Sequence, residues 1–196
     1  MDNLKGLRIG LAVTGSFCTH RYLAAVLDNL VKEGADVYPI LSYNSSEMTT
    51  RFMTKEELYD TLLRISGHEP ICTIKDAEPI GPKKMLDVIV VAPATGNTIA
   101  KLANAITDTP VCMACKSHLR NNRPVIIAVS TNDALSANAR NIGLLLDMKN
   151  YYFVPFYQDD YLRKPFSLIA DFSQINATIE AAMDGKQLQP VITVRN

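Results

Sequence analysis

The stretch "VIVVAPATGNTIAKLANAITDTP" (residues 88–110) decides how the rest of the chain reads. Four apolar residues lead into Pro-Ala-Thr-Gly-Asn-Thr, and a helical pattern starts directly after. An apolar run that ends in a short turn and then a helix is the signature of a buried strand in a parallel sheet. Two threonines, an asparagine and a glycine are more than such a connection needs.

The same grammar recurs on both sides. "RIGLAV" (8–13) is a short apolar strand ending in Thr14-Gly15-Ser16. In residues 19–33, Leu23, Val26, Leu27 and Leu30 share one helical face, and Gly34 is placed to stop that helix. "ADVYPILS" (35–42) supplies the second strand and ends at Ser42. Residues 54–67 predict a helix whose Thr54 and Glu57 form a capping box, and "DAEPIGPKK" (76–84) predicts a surface connection. The strand of 86–92 and the helix of 98–107 come next. A further helix over 110–122 starts with Pro110 in its first turn.

"RPVIIAVS" (123–130) predicts another buried strand, followed by a helix over 133–149, a strand over 150–156 and a last helix over 167–185. Strands that alternate with helices and read as continuous apolar runs predict an α/β fold. The expected architecture is a doubly wound, Rossmann-like or flavodoxin-like parallel sheet with helices on both faces, one domain over 1–196.

Composition sets the outer limits. A chain of 196 residues with 47% hydrophobic and 20% charged residues has ample material for one core. Twenty basic residues balance twenty acidic ones, which argues against electrostatic binding to nucleic acid or to a membrane surface. The opening residues read as a first strand and not as a secretory signal, and no apolar run approaches the roughly 20 residues of a membrane span. Four cysteines without an export signal are expected as reduced thiols in a cytoplasm.

Sheets of this kind bind ligands at the carboxyl ends of their strands. Four of those ends carry small polar residues: Thr14-Gly15-Ser16, Ser42, Thr95-Gly96-Asn97-Thr98 and Ser130-Thr131-Asn132. A helix N-terminus offers unpaired N–H groups and about half a positive charge, which suits a phosphate. Any single turn of this type is more often only an N-cap; four on one edge of one sheet favour a ligand site. The first turn lacks G-x-G-x-x-G and no acidic residue ends the second strand, so a dinucleotide site is disfavoured. With no obligatory cation in these turns, the anion expected is a single phosphate monoester.

"TGS" after the first strand and "APATGNTIAKLANAITDT" after the third resemble the flavoprotein family of homo-oligomeric flavin-containing cysteine decarboxylases and flavin prenyltransferases. The resemblance extends over nearly the whole chain. It implies flavin mononucleotide (FMN) as cofactor, with Thr14, Gly15, Ser16, Ser42, Thr95, Gly96, Asn97, Thr98 and Ser130 around it. It also implies a trimer-based homo-oligomer, a larger dehydrogenase-like partner chain and a two-electron oxidation of a small dicarboxylate.

Asn132 falls where the decarboxylases carry the asparagine of a Pro-x-Met-Asn substrate motif, here Val129-Ser130-Thr131-Asn132. The Met-Trp that follows in them is Leu135-Ser136 in this chain, which counts against decarboxylation. The family's decarboxylating members use a histidine base, and none of His20, His68 and His118 matches that position. Arg51 follows the second strand where the family covers its flavin, and either grips a substrate carboxylate or is a solvated surface residue. Cys112 and Cys115 are expected as buried structural thiols, and Cys18 as packing in the first helical turn. "YQDDYLRKPFSLIADF" departs from the pattern of the similar chains.

Overall fold

The computed structural model describes residues 4–194. Along the chain, β1 (Arg8–Val13) leads through a 3-10 turn (Phe17–Tyr22) into α1 (Leu23–Lys32) and β2 (Asp36–Leu41). Three helices follow: α2 (Tyr43–Glu47), α3 (Lys55–Ser66) and α4 (Ile74–Ala77), the last continued by a 3-10 turn (Glu78–Ile80). Then come β3 (Val88–Ala94), α5 (Gly96–Ala103), α6 (Pro110–Leu119), β4 (Val125–Thr131) and α7 (Ala139–Asp147). The chain closes with β5 (Tyr151–Phe153), β6 (Phe156–Tyr157), β7 (Leu168–Ala170) and α8 (Ile175–Met183).

The strands β2, β1, β3, β4 and β5 lie side by side in that order and all run parallel. Strand order reverses at β1, which therefore has a strand and its following helix on either side; this is the doubly wound order expected, with its crevice between β1 and β3. Every residue of β3 is buried, as an inner strand covered on both faces requires. The β3–β4 register shifts between Val91 and Ala94. Pro93 sits in that irregularity, where its missing N–H costs no regular ladder bond.

Three features differ from the sequence reading. The sheet is not wholly parallel: β7 pairs antiparallel with the end of β4, Ser130 opposite Ile169 and Thr131 opposite Leu168, and β6 pairs antiparallel with β7. This hairpin uses the first part of the segment expected as the last helix, which begins only at Ile175. Leu168 and Ala170 point inward while Ile169 is half-buried, so a two-residue period was hidden in an apolar run too short to distinguish from helix.

The expected surface connection over 76–84 contains the end of α4 and the 3-10 turn, with Ala77 and Ile80 fully buried. A Cβ on Gly81 would strike the Ser117 carbonyl of α6, so only glycine permits that approach. Finally, the helix expected over 133–149 is a run of turns up to Asn138. Asp133 draws those turns together by accepting from the Thr131 hydroxyl at 2.6 Å and from Asn138 Nδ2 at 2.7 Å.

Candidate functional site

The carboxyl ends of β1, β2, β3 and β4 open onto two adjoining hollows. The smaller, about 190 Å³, is lined by Gly15, Ser42, Asn44, Thr95, Asn97, Thr98 and Thr109, with Lys101 and Asp108 at its side. The larger, about 500 Å³, is lined by Gly15, Ser16, Cys18, Thr19, Thr95, Ser130, Thr131 and Asn132. Arg51 and Phe52 form one lip of the larger cleft; Asp159, Lys164 and Ser167, from the β6–β7 connection, form another. Gly15 and Thr95 line both hollows.

Thr95 occupies the N-cap position of α5 with φ −76° and ψ 157°, the extended conformation of a capping residue. Its side chain nevertheless caps nothing. The hydroxyl donates instead to Thr98 Oγ1 at 3.2 Å and lies 3.3 Å from Thr14 Oγ1. Tyr22, Asn138 and Gln174, before α1, α7 and α8, also cap nothing, but the other α-helix starts that carry serine or threonine behave differently. Ser42 accepts from Ser45 N, Thr54 from Glu57 N, Thr73 from Asp76 N and Thr109 from Cys112 N. The start of α5 thus keeps its amide N–H groups free of side-chain caps beside the smaller hollow, where they and the hydroxyls suit one phosphate group.

Thr14 lies beneath this arrangement, almost fully buried. Its hydroxyl donates to the Pro93 carbonyl at 2.7 Å and accepts from Thr95 N at 3.0 Å, tying the end of β1 to the turn after β3. The same residue's carbonyl accepts from His20 Nε2 at 2.9 Å. Burial lowers the His20 pKa, a shift the Thr14 contact partly opposes. A neutral ring committed to a backbone carbonyl fixes the first turn and does not face the cleft.

In the larger cleft, Ser16 and Ser130 share a hydrogen bond at 2.8 Å, and Ser130 lies 3.5 Å from Thr19 Oγ1. Asn132 is exposed at the cleft, with its Oδ1 3.5 Å from the Ser167 hydroxyl. Arg51 is exposed with its guanidinium 4.8 Å from the Phe52 ring centroid.

Most of the sequence-predicted residues therefore meet at one place. Gly15, Ser16, Ser42, Thr95, Asn97, Thr98, Ser130, Arg51 and Asn132 line one hollow or the other. Thr14 and Gly96 do not. A Cβ on Gly96 would fall within 2.5 Å of Asn138 Nδ2 and 2.6 Å of Asp133 Oδ1, so this glycine admits the polar turn after β4. Ser42 has a divided role, since its oxygen also caps α2 and contacts Ser45 Oγ at 3.1 Å.

Cys18 departs from expectation, being exposed and lining the cleft. Cys112 and Cys115 are buried in α6, where burial raises both thiol pKa values. His118, buried in the same helix, bonds to the Pro124 carbonyl at 3.2 Å. Burial and the nearby Arg123 charge lower its pKa to about 4.

The expectation of no cation near the strand-end turns is corrected by two lysines. Lys101, one turn into α5, grips both oxygens of Asp108 at 2.7 and 2.9 Å beside the smaller hollow. Its helical spacing from Asn97 was a usable signal. Lys164 comes from the connection before β7, and no local pattern points to it.

Comparison with known proteins places this geometry. Residues 1–179 match the model of the family described as Flavoprotein. The chain is 46% identical over 192 residues to the B subunit of dipicolinate synthase from Bacillus subtilis, covering 98% of this chain and 96% of that one. It superimposes on the crystal structure of the corresponding B subunit of dipicolinate synthase from Bacillus halodurans with a TM-score of 0.91 and 41% identity, over 99% and 100% of the two chains. A more distant structure, the FMN-dependent cysteine decarboxylase SpaF, shares the fold with a TM-score of 0.71 at 21% identity, over 92% of this chain and 97% of that one. The strand-end hydroxyls, the two hollows and a match along nearly all of its length lead to one conclusion: the chain belongs to the flavoprotein family.

Proposed function

We propose that this chain is the smaller, flavin-binding B subunit of a dipicolinate synthase, taking part in the two-electron oxidation of dihydrodipicolinate to dipicolinate with a larger, dehydrogenase-like A subunit. The observation that carries the reading is the pairing of an uncapped helix start with a larger cleft that has a basic side chain on each lip. The first suits one phosphate and the second suits a small dianion. Likeness along the full length to the smaller chains of two such synthases supports the same assignment. Biologically the setting is the mother-cell cytoplasm of a spore-forming bacterium, and no helix among the described residues is long and apolar enough to cross a membrane.

FMN fits this donor set better than a dinucleotide, because the smaller hollow has room and donors for one phosphate. Ser42, Thr95, Asn97 and Thr98 would hold that phosphate, and Ser16, Ser130 and Asn132 would face the ring side. When bound, FMN supplies a two-electron acceptor. The chain's own part is positional: Thr14 holds the two turns together from beneath, and Arg51 grips a substrate carboxylate. Residues 1–196 would act as one flavoprotein domain in a trimer-based oligomer. Exposed apolar side chains, Phe52 on one lip and Leu162 in the β6–β7 connection at 52% and 81% exposure, are candidates for burial against a neighbouring copy or against the larger partner chain.

An FMN-dependent decarboxylase is the main rival, and a non-catalytic scaffold is the other. Against the decarboxylase, no described histidine lines the cleft: His20 is buried under it, His68 pairs with Asp36 at 2.7 Å, and His118 is enclosed in α6. The visible spectrum of the purified chain with FMN, followed by dipicolinate formation with and without the larger chain, tests the proposal. A bound-flavin spectrum and product that requires both chains are expected. Product formed by the larger chain alone at full rate would leave this chain a scaffold, and release of carbon dioxide from a cysteine peptide would make it a decarboxylase.

A further inference from the structure

The turns that form the floor of the larger cleft are neutral, so a substrate with two carboxylates must find its counter-charges on the lips. Arg51 supplies one, and its guanidinium makes no ion pair among the described residues. The other lip is the connection between β6 and β7. Gln158 Nε2 closes it onto the Pro165 carbonyl at 2.9 Å, Lys164 N bonds to the Asp160 carbonyl at 2.7 Å, and Ser167 N bonds to the Lys164 carbonyl at 3.0 Å. These bonds give the Lys164 backbone a defined place beside the cleft.

The Lys164 ammonium lies 3.3 Å from Asp159 Oδ2, with the lysine side chain 51% exposed and the aspartate 23%. An ammonium has three donors; Asp159 takes one at a long distance, and Lys164 itself lines the cleft. Burial disfavours the charged Asp159, but the Ser167 hydroxyl and the Lys164 ammonium outweigh it and hold the carboxyl below its usual range. Asp159 Oδ1 is buried without a hydrogen bond.

From this geometry we infer that Lys164 is the anchor for the second carboxylate of the substrate, opposite Arg51, and that Asp159 is only its resting partner in the empty cleft. The inference rests on the dipicolinate reading of the site. It assigns specificity: a monocarboxylate can satisfy one lip only, whereas a ring with carboxylates on either side of its nitrogen can engage both. Asp159 disfavours a dianion at long range but keeps the ammonium in place when no substrate is bound.

The test uses the two-chain enzyme loaded with FMN and titrates dipicolinate, the product, into wild type and variants while following KM for the precursor. Lys164→Gln is expected to weaken dipicolinate binding and raise KM by roughly tenfold to hundredfold, with FMN affinity unchanged. Because that change strands the Asp159 carboxylate, the double variant Asp159→Asn/Lys164→Gln is measured beside it. It restores neutrality in the loop yet should bind product as poorly as the single variant. Asp159→Asn alone should bind dipicolinate at least as well as wild type, since it removes a negative charge beside the anion.

If the double variant recovers wild-type binding, or Lys164→Gln binds dipicolinate normally, Lys164 is only a structural partner of Asp159 and the inference is overturned. If the wild-type pair makes no dipicolinate, the functional reading itself fails and takes this inference with it. The two failures are therefore distinct.

Discussion

The starts of α3 and α5 carry the same residue in the same backbone conformation and put it to different uses. Thr54 has φ −77° and ψ 158°, and Thr95 has φ −76° and ψ 157°. Thr54 accepts from Glu57 N, and Glu57 returns the bond to Thr54 N at 2.8 Å, a complete capping box. Thr95 makes no cap, turns its hydroxyl toward Thr98 and sits where two hollows meet. A threonine before a helix is therefore no evidence of function by residue type. The evidence is an N-cap position left without its cap beside a cavity, because a helix start deprived of internal partners is one that a ligand can satisfy.

The contrast extends to α6, the neighbour of α5, whose start is capped and whose histidine is turned into the protein. Thr109 caps it, and His118 is fully buried against the Pro124 carbonyl. The His118 pKa is lowered to about 4 from the ordinary 6.5, so the unfolded chain takes up this proton first. Its contribution to stability is therefore complete above about pH 6.5 and is lost as the pH falls toward 4, by up to about 3 kcal/mol. Urea denaturation at pH 7.5 and pH 5 should show the loss, and His118→Gln should flatten the pH dependence. An unchanged slope in that variant would mean that other groups carry the acid sensitivity.

On the cleft side the largest single effect expected is on turnover. Arg51→Ala should cost roughly 1.5–3 kcal/mol in kcat/KM for dipicolinate formation while leaving FMN binding intact. Lysine at that position should recover only part of the loss, because an ammonium cannot reproduce the planar fork. An alanine variant with wild-type kinetics would return Arg51 to the solvated surface.

A smaller effect separates the two threonines by stability alone. Thr54→Ala should destabilise the protein by about 1 kcal/mol, the usual value of a lost N-cap. Thr95→Ala removes no cap bond, so without FMN its cost should be the smaller of the two. Equal losses in thermal denaturation of the flavin-free protein would show that the Thr95 hydroxyl is spent on the fold after all.

How far the sequence reaches follows from the same distinction between local and distant partners. The capping box of Thr54 and Glu57, the strand at 8–13 and the helix starting with Pro110 depend on neighbours a few residues away, and they stand where the sequence placed them. The antiparallel pairing of β7 depends on Ser130 and Thr131, almost 40 residues earlier in the chain, and the helical reading of 167–185 hid it. Lys164 was hidden for the same reason, since only that pairing brings its loop to the cleft. Gly96 was read toward a ligand, whereas the group it makes room for is the Asn138 side chain. Cys18 was read as packed, but the first turn is a 3-10 helix that leaves it exposed.

The measurement that bears most directly on the central claim is an FMN titration of two matched variants, Thr95→Asp and Thr54→Asp. Aspartate is as good an N-cap as threonine or better, so both proteins should fold and melt near the wild-type temperature. At Thr95 the new carboxylate would stand against the phosphate, and FMN fluorescence should no longer be quenched; at Thr54 the titration should match wild type. Normal FMN binding by Thr95→Asp would contradict the account, because the uncapped start of α5 would then have no ligand to explain it.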